Sequence, residues 1–362
     1  MSAAPAKSPR LYSLDILRGV TVAAMIIVNN AGGKLSYQSL QHSDWNGLTL
    51  CDMVFPTFLF IVGISTYISL SKLKFQWSSA TFAKIVKRTF YIMLIGWAIH
   101  YLEHVCKADF LPFATMRLTG VLPRIALCYF MTSLAALTLS RRTIIAVIVG
   151  LLVVYSWIIL SFNGYANDES NLLVRIDRFL LGENHLYLKR PVDPEGIASC
   201  ISAIAHTLIG FCIAPIIFNK RPLEQRLLHL MVIGFAMLLV GTAIEPLMPL
   251  NKRIWSPSFT IVTCALATLT LGLISFITDV NGRKKIFKPF DVFGVNPLFL
   301  YALSEVAAIL ISAFGAKPVI YDWISAIVPD PYAASAVYSV LFSLVMWCAG
   351  YPLYKKKIYI KL

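Results

Sequence analysis

The stretch QHSDWNGLTLCDMVFPTFLFIVG, residues Gln41–Gly63, joins a polar cluster directly to an apolar run. Its first six residues include His42, Trp45 and Asn46, and Asp52 carries a charge into the apolar part. An apolar run of this kind is typical of a transmembrane helix. Ionisable side chains at membrane depth are costly, and they mark functional sites by default. The stretch therefore predicts a polar site at the edge of a membrane-spanning helix.

The composition of the whole chain indicates an integral membrane protein. Of its 362 residues, 58% are hydrophobic and 14% are charged, whereas soluble domains carry about 25% charged residues. The mean hydropathy is +0.72. A soluble fold with this composition would expose extensive apolar surface. We expect an all-α polytopic membrane protein that forms a single domain over residues 1–362.

About ten segments are apolar and long enough to cross a bilayer, which requires about 20 residues per helix. They are residues 14–32, 52–71, 86–103, 118–139, 143–162, 196–218, 227–247, 257–278, 295–314 and 332–354. The longest loop, at about 163–195, separates the fifth segment from the sixth.

The distribution of Lys and Arg predicts the orientation of these segments. Loops on one side carry about twice as many cations as loops on the other, and the cation-rich side is cytoplasmic in most membrane proteins. Both termini are therefore expected in the cytoplasm, and the 41–52 cluster and the 163–195 loop outside. Because the net charge of +14 is mostly this topological signal, no nucleic-acid partner is expected.

Six polar residues on different segments fall toward the predicted outer side. They are Asn29, His42, Asp52, Arg124, Glu195 and Glu245. They indicate either a shared polar cavity or a set of satisfied interhelical hydrogen bonds. Glu195 is expected to open the sixth segment, where a helix N-terminus stabilises negative charge. Near the cytoplasm, the three-residue spacing of Asp15 and Arg18 predicts a local ion pair.

His42 is the candidate catalytic residue, because histidine exchanges a proton near neutral pH and can also accept an acyl group. Asp52 is expected to orient its ring. Asn29 and Asn46 could donate hydrogen bonds to a developing oxyanion. Trp45 offers a flat apolar face of the kind that stacks on sugar rings.

No metal site is predicted. The sequence HYLEH, residues 100–104, fits the H-x-x-E-H zinc pattern, but no third ligand follows on a helix, and an interfacial polar turn is the preferred interpretation. The seven cysteines form no CxxC pair, so neither a zinc site nor a disulfide framework is indicated.

Several longer blocks, found in the same order, resemble the heparan-α-glucosaminide N-acetyltransferase family over essentially the whole chain. They are SLDILRG (13–19), VNNAGGK (28–34), HSDWNGLTLCDMVFPTFLFIVG (42–63), VLPRIALCYF (121–130), RIDRFLLGENHLY (175–187), DPEGI (193–197), NKRIWSPSF (251–259) and GVNPLFLY (294–301). The C-terminal YKKKIYIKL, residues 354–362, is similar too.

The resemblance implies transmembrane acetylation. Acetyl-CoA in the cytoplasm would donate its acetyl group to the amine of a glucosamine-type sugar on the outer side. His42 would be catalytic, with Asn29 and Asp52 beside it. The residues expected to bind substrate are Trp45, Asn46, Arg124, Glu195, Trp255 and Asn296. A homodimer in the lipid bilayer is implied as well.

Two departures from the family pattern favour an inner (plasma) membrane protein over a lysosomal one. The chain starts at the helix that follows the family's extra N-terminal domain, and Ser304 stands where the family has a histidine. Two alternatives remain from the residues themselves: an amino-sugar transporter, and an O-acyltransferase of an envelope glycan.

Overall fold

The computed structural model describes residues 12–187 and 191–360. The predicted topological charges Lys7, Arg10, Lys189, Arg190 and Lys361 lie outside these residues. Within them the regular structure is entirely helical, with no β-strand. The all-α fold class is confirmed.

The described residues contain thirteen α-helices. They are α1 (Tyr12–Asn29), α2 (Leu50–Ser71), α3 (Ser79–Val105), α4 (Val121–Thr138), α5 (Arg141–Ser161), α6 (Leu172–Leu181), α7 (Cys200–Ile217), α8 (Leu223–Ile244), α9 (Pro257–Ser275), α10 (Asp291–Val295), α11 (Pro297–Ala313), α12 (Ala316–Ile327) and α13 (Pro331–Lys355). Each of the predicted apolar segments overlaps one long helix of between 17 and 27 residues.

Eight of these helices are long and apolar enough to cross a membrane, and α10–α11, bent by 74°, would form a ninth span with the turn before it. The helix in the third predicted segment is α3. It is not among the eight, and it carries Lys84, Lys87 and Arg88 within its first half. A polytopic membrane protein is confirmed, and the number of about ten spans stays a prediction.

Helix α2 carries the opening stretch of sequence into the centre of the bundle. It packs closely against α7, where Gly63 and Gly210 let the two backbones meet: a Cβ on Gly63 would lie 2.0 Å from the carbonyl oxygen of Thr207. Small residues at such crossings are typical of membrane helix pairs. The N-terminus of α2 is therefore held in a fixed position at the predicted outer side.

The predicted outer loop contains the short helix α6 and a tight turn that precedes α7. The expectation that Glu195 opens the next span is wrong, because α7 begins at Cys200. The backbone N–H of Glu195 donates instead to Asp193 Oδ1 (2.8 Å), and the backbone N–H of Ala198 donates to Asp177 Oδ1 (2.8 Å). These two carboxylates bind the backbone of a turn, and α7 begins only after this turn.

Two contacts lie on the predicted cytoplasmic side of the bundle. The predicted ion pair is confirmed, with Arg18 Nη1 at 3.1 Å from Asp15 Oδ1. Asn296 precedes α11 and holds the C-terminal tail: its Nδ2 donates to the carbonyl of Ile358 (2.9 Å), and its Oδ1 accepts from the N–H of Ile360 (2.8 Å). Both described contacts of the Asn296 side chain are thus with the tail.

Candidate active site

His42 and Asp52 form a hydrogen-bonded pair at the start of α2. His42 Nδ1 lies 2.8 Å from Asp52 Oδ1, and the Asp52 side chain is fully buried while half of the His42 side chain is exposed. An ionised carboxylate accepts the Nδ1 proton and leaves the Nε2 lone pair available. The pair can therefore present a basic or nucleophilic nitrogen to a solvent-accessible space.

The start of α2 explains why Asp52 is ordered there. Thr49 is the N-cap residue: its Oγ1 accepts from the backbone N–H of Asp52 (3.2 Å), and Asp52 Oδ2 accepts from the backbone N–H of Thr49 (3.2 Å). Such a capping box satisfies free donors at a helix start. The backbone N–H of Ser43 also donates to Asp52 Oδ2 (3.0 Å). Asp52 thus caps the start of α2 and fixes the histidine loop with the same carboxylate.

A third ionisable group, Lys252, completes this cluster. Its Nζ lies 3.0 Å from His42 Nδ1 and 3.3 Å from Nε2, and 3.7 Å from Asp52 Oδ1 with only 12% of its side chain exposed. The sequence interpretation counted Lys252 only toward topology. The one signal that could have singled it out was its place in the NKRIWSPSF block.

These groups face a cavity of about 310 Å³. The lining comes from three separate parts of the chain and includes His42, Asp52, Tyr187, Glu195, Lys252 and Arg253. The prediction of one polar cavity therefore holds for His42, Asp52 and Glu195, which are more than 140 residues apart at the extremes. Its position at the N-terminus of α2 is the predicted outer side.

Glu195 reaches the cavity already paired. Arg117 Nη2 donates to Glu195 Oε2 (2.7 Å) and to Asp193 Oδ1 (2.6 Å). Burial opposes ionisation of Asp193, but the Arg117 guanidinium outweighs it and holds the pKa of Asp193 below its usual range. Burial likewise opposes the charge on Arg117, and Glu195 and Asp193 outweigh it and raise the pKa of Arg117. Arg117 was missed as a site residue by sequence reasoning, which assigned it only to a loop.

Arg124 and Trp255 lie behind the residues that line the cavity and are not part of its lining. Arg124 is 2% exposed; its Nη2 donates to the carbonyl of Gly196 (2.8 Å) and to Ser199 Oγ, and its guanidinium lies 5.0 Å from the centre of the Trp255 ring. Trp255 is fully buried and packs edge-on against Phe55. Both residues, predicted to bind substrate, support the turn that carries Glu195 and the loop that carries Lys252.

Trp45 and Asn46 hold the histidine loop against neighbouring loops. Trp45 Nε1 donates to the carbonyl of Tyr165 (2.9 Å), and the Arg253 guanidinium lies 5.9 Å from the centre of the Trp45 ring. Asn46 Oδ1 accepts from Asn251 Nδ2 (3.0 Å). Their predicted contact with substrate stays a prediction.

Asn29 does not join His42 through a hydrogen bond in the part of the chain that the structure describes. Its Nδ2 donates to Glu305 Oε1 on α11 (3.2 Å). The expected proximity of Asn29 to the histidine therefore remains a sequence-based prediction. The structure gives Asn29 a different polar partner.

His104 and Glu103 of the HYLEH motif have local partners. His104 Nδ1 lies 2.9 Å from Asp109 Oδ2, and Lys107 pairs with Glu103 at 2.7 Å. Across residues 12–187 and 191–360, no group of three His, Cys, Asp or Glu side chains is arranged to hold a metal ion.

Comparison with known proteins gives two kinds of match. A family model for the catalytic region of heparan-α-glucosaminide N-acetyltransferase matches residues 10–176. The human heparan-α-glucosaminide N-acetyltransferase is 29% identical over 356 residues, covering 82% of this chain and 53% of the human protein. The mouse protein of the same name is 26% identical over 411 residues, covering 98% of this chain and 60% of the mouse protein.

The chain is therefore similar to the heparan-α-glucosaminide N-acetyltransferase family. The resemblance noted in the sequence is thereby confirmed. The chain spans little more than half the length of these N-acetyltransferase relatives. His42, Asp52 and Arg124 lie inside the segment that the family model matches, and Glu195 and Lys252 lie outside it.

Proposed function

We propose that the protein is a transmembrane N-acetyltransferase that moves acetyl from cytoplasmic acetyl-CoA to the amine of a glucosamine-type sugar on the outer side. The observation that carries the proposal is the His42–Asp52 pair, joined at 2.8 Å on the wall of a cavity of about 310 Å³. The similarity to the heparan-α-glucosaminide N-acetyltransferase family supports the same chemistry. Acetyl-CoA is the co-substrate, and no resident metal is proposed.

In this proposal His42 acts through Nε2. Asp52 accepts the Nδ1 proton and stabilises the positive charge that appears on the ring when Nε2 takes a proton. An ammonium has no lone pair, so the acceptor amine must lose a proton to attack the acetyl carbonyl. His42 either removes that proton or carries the acetyl group itself; both routes need the same ring orientation.

The donor is proposed to enter from the opposite side of the bundle. A second cavity, of about 270 Å³, is lined by Arg18 and Arg88 together with apolar residues of α2, among them Phe58. Arginine binds phosphate well, and an apolar channel suits a pantetheine arm. Ser65, which lines this cavity, lies thirteen positions after Asp52, or about 20 Å along the helix, so α2 runs from one cavity to the other.

The acceptor is proposed to occupy the outer cavity. The cavity contains both signs of charge, with Lys252 and Arg253 on one side and Glu195 on another. Because Glu195 is already paired with Arg117 at 2.7 Å, the proposal no longer assigns it the recruitment of the amine by itself. The protein is proposed to reside in the inner (plasma) membrane as a homodimer.

The test is acetylation by purified protein in detergent or liposomes. Labelled acetyl-CoA and glucosamine should yield N-acetylglucosamine, and His42→Ala should lower the turnover number by roughly 10²–10⁴-fold, the usual contribution of a positioned base. The product is identified by mass spectrometry with mild base treatment, which removes O-acetyl but not N-acetyl groups.

Three results would contradict the proposal. They are a base-labile O-acetyl product, glucosamine uptake into liposomes without acetylation, and near-normal turnover of the His42→Ala variant. A melting temperature of His42→Ala equal to that of the wild type serves as the folding control.

A further inference from the structure

We propose that Lys252 is a catalytic residue whose ammonium group binds the oxyanion formed on the acetyl carbonyl during transfer. The inference rests on the proposed acetyltransferase function and assigns a role that the histidine and aspartate cannot fill. Acyl transfer passes through a tetrahedral intermediate with negative charge on oxygen. Removal of one donor aimed at this oxygen costs roughly 10²–10³-fold in turnover in other acyl-transfer enzymes.

Lys252 lies beside the ring nitrogen that reacts in the proposed mechanism. Its Nζ lies 3.3 Å from His42 Nε2, the nitrogen that faces the reacting amine in the proposed mechanism. The Lys252 side chain is 12% exposed, so its charge is screened by water less than that of a fully exposed lysine. An oxyanion that forms beside His42 therefore lies within reach of the ammonium group.

The other candidate donors, Asn29 and Asn46, are not among the residues that line the cavity. Asn29 Nδ2 donates to Glu305, and Asn46 takes part in a loop-to-loop hydrogen bond with Asn251. Asp52 is an acceptor and repels an oxyanion. Lys252 is the cation that touches the His42 ring in the described structure, and this makes it the best placed donor.

The turn that presents Lys252 is built to hold it in place. Asn251 Oδ1 accepts from the backbone N–H groups of Arg253 (2.9 Å) and Ile254 (3.2 Å). The same side chain donates to Asn46 (3.0 Å), and the N–H of Gly47 donates to the carbonyl of Leu250 (2.7 Å). The turn is therefore held to the histidine loop at Asn46 and at Gly47.

Backbone conformation adds a second sign of a positioned turn. Trp255 has a φ of +52°, a left-handed conformation that is unfavourable for a bulky residue. Its ring is fully buried and packs against Phe55 and Phe259 at 5.3 and 5.4 Å between ring centres. Such conformations persist where the surrounding structure enforces them, and they cluster at functional sites.

Acetyl transfer proceeds by direct attack of the amine on the thioester of acetyl-CoA. The amine nitrogen attacks the carbonyl carbon, a C–N bond forms, and the carbonyl π pair moves to oxygen, where Lys252 donates a hydrogen bond. His42 Nε2 takes the proton from the attacking nitrogen. The oxygen lone pair then reforms the carbonyl, the C–S bond breaks, and CoA leaves as a thiolate that receives the proton from His42. Lys252 stays protonated throughout.

The test compares Lys252→Met with a control that removes another cation from the predicted outer side. Lys252→Met should lower kcat for glucosamine acetylation by roughly 10²–10³-fold, with KM for acetyl-CoA changed by less than about threefold because the donor binds elsewhere. Lys252→Arg keeps the charge and should recover at least tenfold of the loss. Lys317→Met is the control: Lys317 lies on α12 over the Tyr338 ring (6.0 Å), and its removal should leave kcat within about twofold.

The outcomes separate this inference from the proposed function. If wild type acetylates glucosamine, His42→Ala does not, and Lys252→Met turns over within about threefold of wild type, Lys252 is not catalytic while the function stands. A Lys252→Met loss that appears only in KM for glucosamine also overturns the oxyanion role. If the wild-type protein acetylates no amino sugar, the proposed function itself fails. Matching melting temperatures for Lys252→Met and wild type exclude misfolding as the cause.

Discussion

At the scale of single residues, Asp52 connects the fold to the proposed chemistry. Its fully buried carboxylate caps α2 through Thr49 and accepts from His42 with the other oxygen. Burying a charge is costly unless it is paired and hydrogen-bonded. The N–H of Ser43 and the ammonium of Lys252, at 3.7 Å, supply further compensation. An aspartate is therefore tolerated in an apolar helix, because its carboxylate caps the helix start and holds the histidine.

The two roles of Asp52 predict different outcomes for two substitutions. Asp52→Asn keeps an oxygen for the cap, but an amide NH₂ facing His42 Nδ1 would favour the tautomer with its proton on Nε2, removing the reactive lone pair. We expect kcat to fall by roughly 10²–10⁴-fold with a melting temperature close to wild type. Asp52→Ala should lose activity and also destabilise the helix start by about 1 kcal/mol.

Turnover assays and thermal melts of the two variants check this prediction. Asp52→Asn with near-normal kcat would show that the orientation of the His42 ring is irrelevant to the reaction. Equal stability of Asp52→Ala and wild type would contradict the capping role.

The pairing of His42 with Asp52 could be predicted from the sequence because the two residues are only ten positions apart, at the start of one apolar helix. It missed Lys252 because that residue is 210 positions from His42, and only the fold brings them together. Arg124 and Trp255 were predicted from charge and family position, which do not distinguish a cavity wall from the layer behind it. Residue type can be read locally; which surface a side chain faces depends on tertiary packing.

At the scale of helices, the contact between α2 and α7 determines how far apart the two sides of the cavity lie. A Cβ on Gly210 would lie 2.2 Å from the carbonyl oxygen of Phe60. The neighbour is backbone, so the two helices would have to separate. Because Asp52 lies on α2 and Glu195 just precedes α7, separation would also change the distance across the cavity.

We therefore expect Gly210→Ala to destabilise the protein by about 1–3 kcal/mol, the usual cost of overpacking, and to reduce acetylation. Gly150→Ala is the matched control, because no atom outside its own helix lies within 4 Å of the added methyl; it should be neutral or slightly stabilising. Thermal melts in detergent and kcat measurements check both. A Gly210→Ala protein as stable as Gly150→Ala would show that the helices tolerate separation.

Helix existence was predictable and helix ends were less so. Long apolar runs located every long helix, because a bilayer requires a minimum apolar length. The start of α7 at Cys200 was misplaced, since it depends on Asp177 and Asp193, whose carboxylates bind the backbone of the preceding turn. The Asp177 contact spans 21 residues and the Asp193 contact only two, and neither produces a helical periodicity in the sequence.

At the scale of the whole molecule, the orientation depends on α3. If α3 crosses the membrane, successive helices alternate and the cation-rich loops all face one side, as the Lys and Arg distribution predicts. If α3 lies on the surface, every later helix is inverted and the His42 loop and Glu195 would face opposite compartments. Both residues line one cavity, so the inverted arrangement conflicts with the contacts of the bundle.

Cys106, exposed at the end of α3, gives a direct test of this topology. In right-side-out membrane vesicles, a membrane-impermeant maleimide should label Cys106 without detergent, because a spanning α3 places it outside. Cys348 is exposed too, but it lies within α13, where lipid would shield it from a water-soluble reagent. The Cys106→Ser variant should lose the label.

The opposite side needs its own marker. Gln76→Cys, made in the Cys106→Ser background, places a thiol in the exposed turn before α3 and should be labelled only after the vesicles are permeabilised. The same vesicles should acetylate external glucosamine only when acetyl-CoA is enclosed inside, since a charged nucleotide thioester does not cross the bilayer. Labelling of Cys106 only after permeabilisation would mean that α3 does not span, and product formed from external acetyl-CoA in sealed vesicles would mean that donor and acceptor enter from the same side.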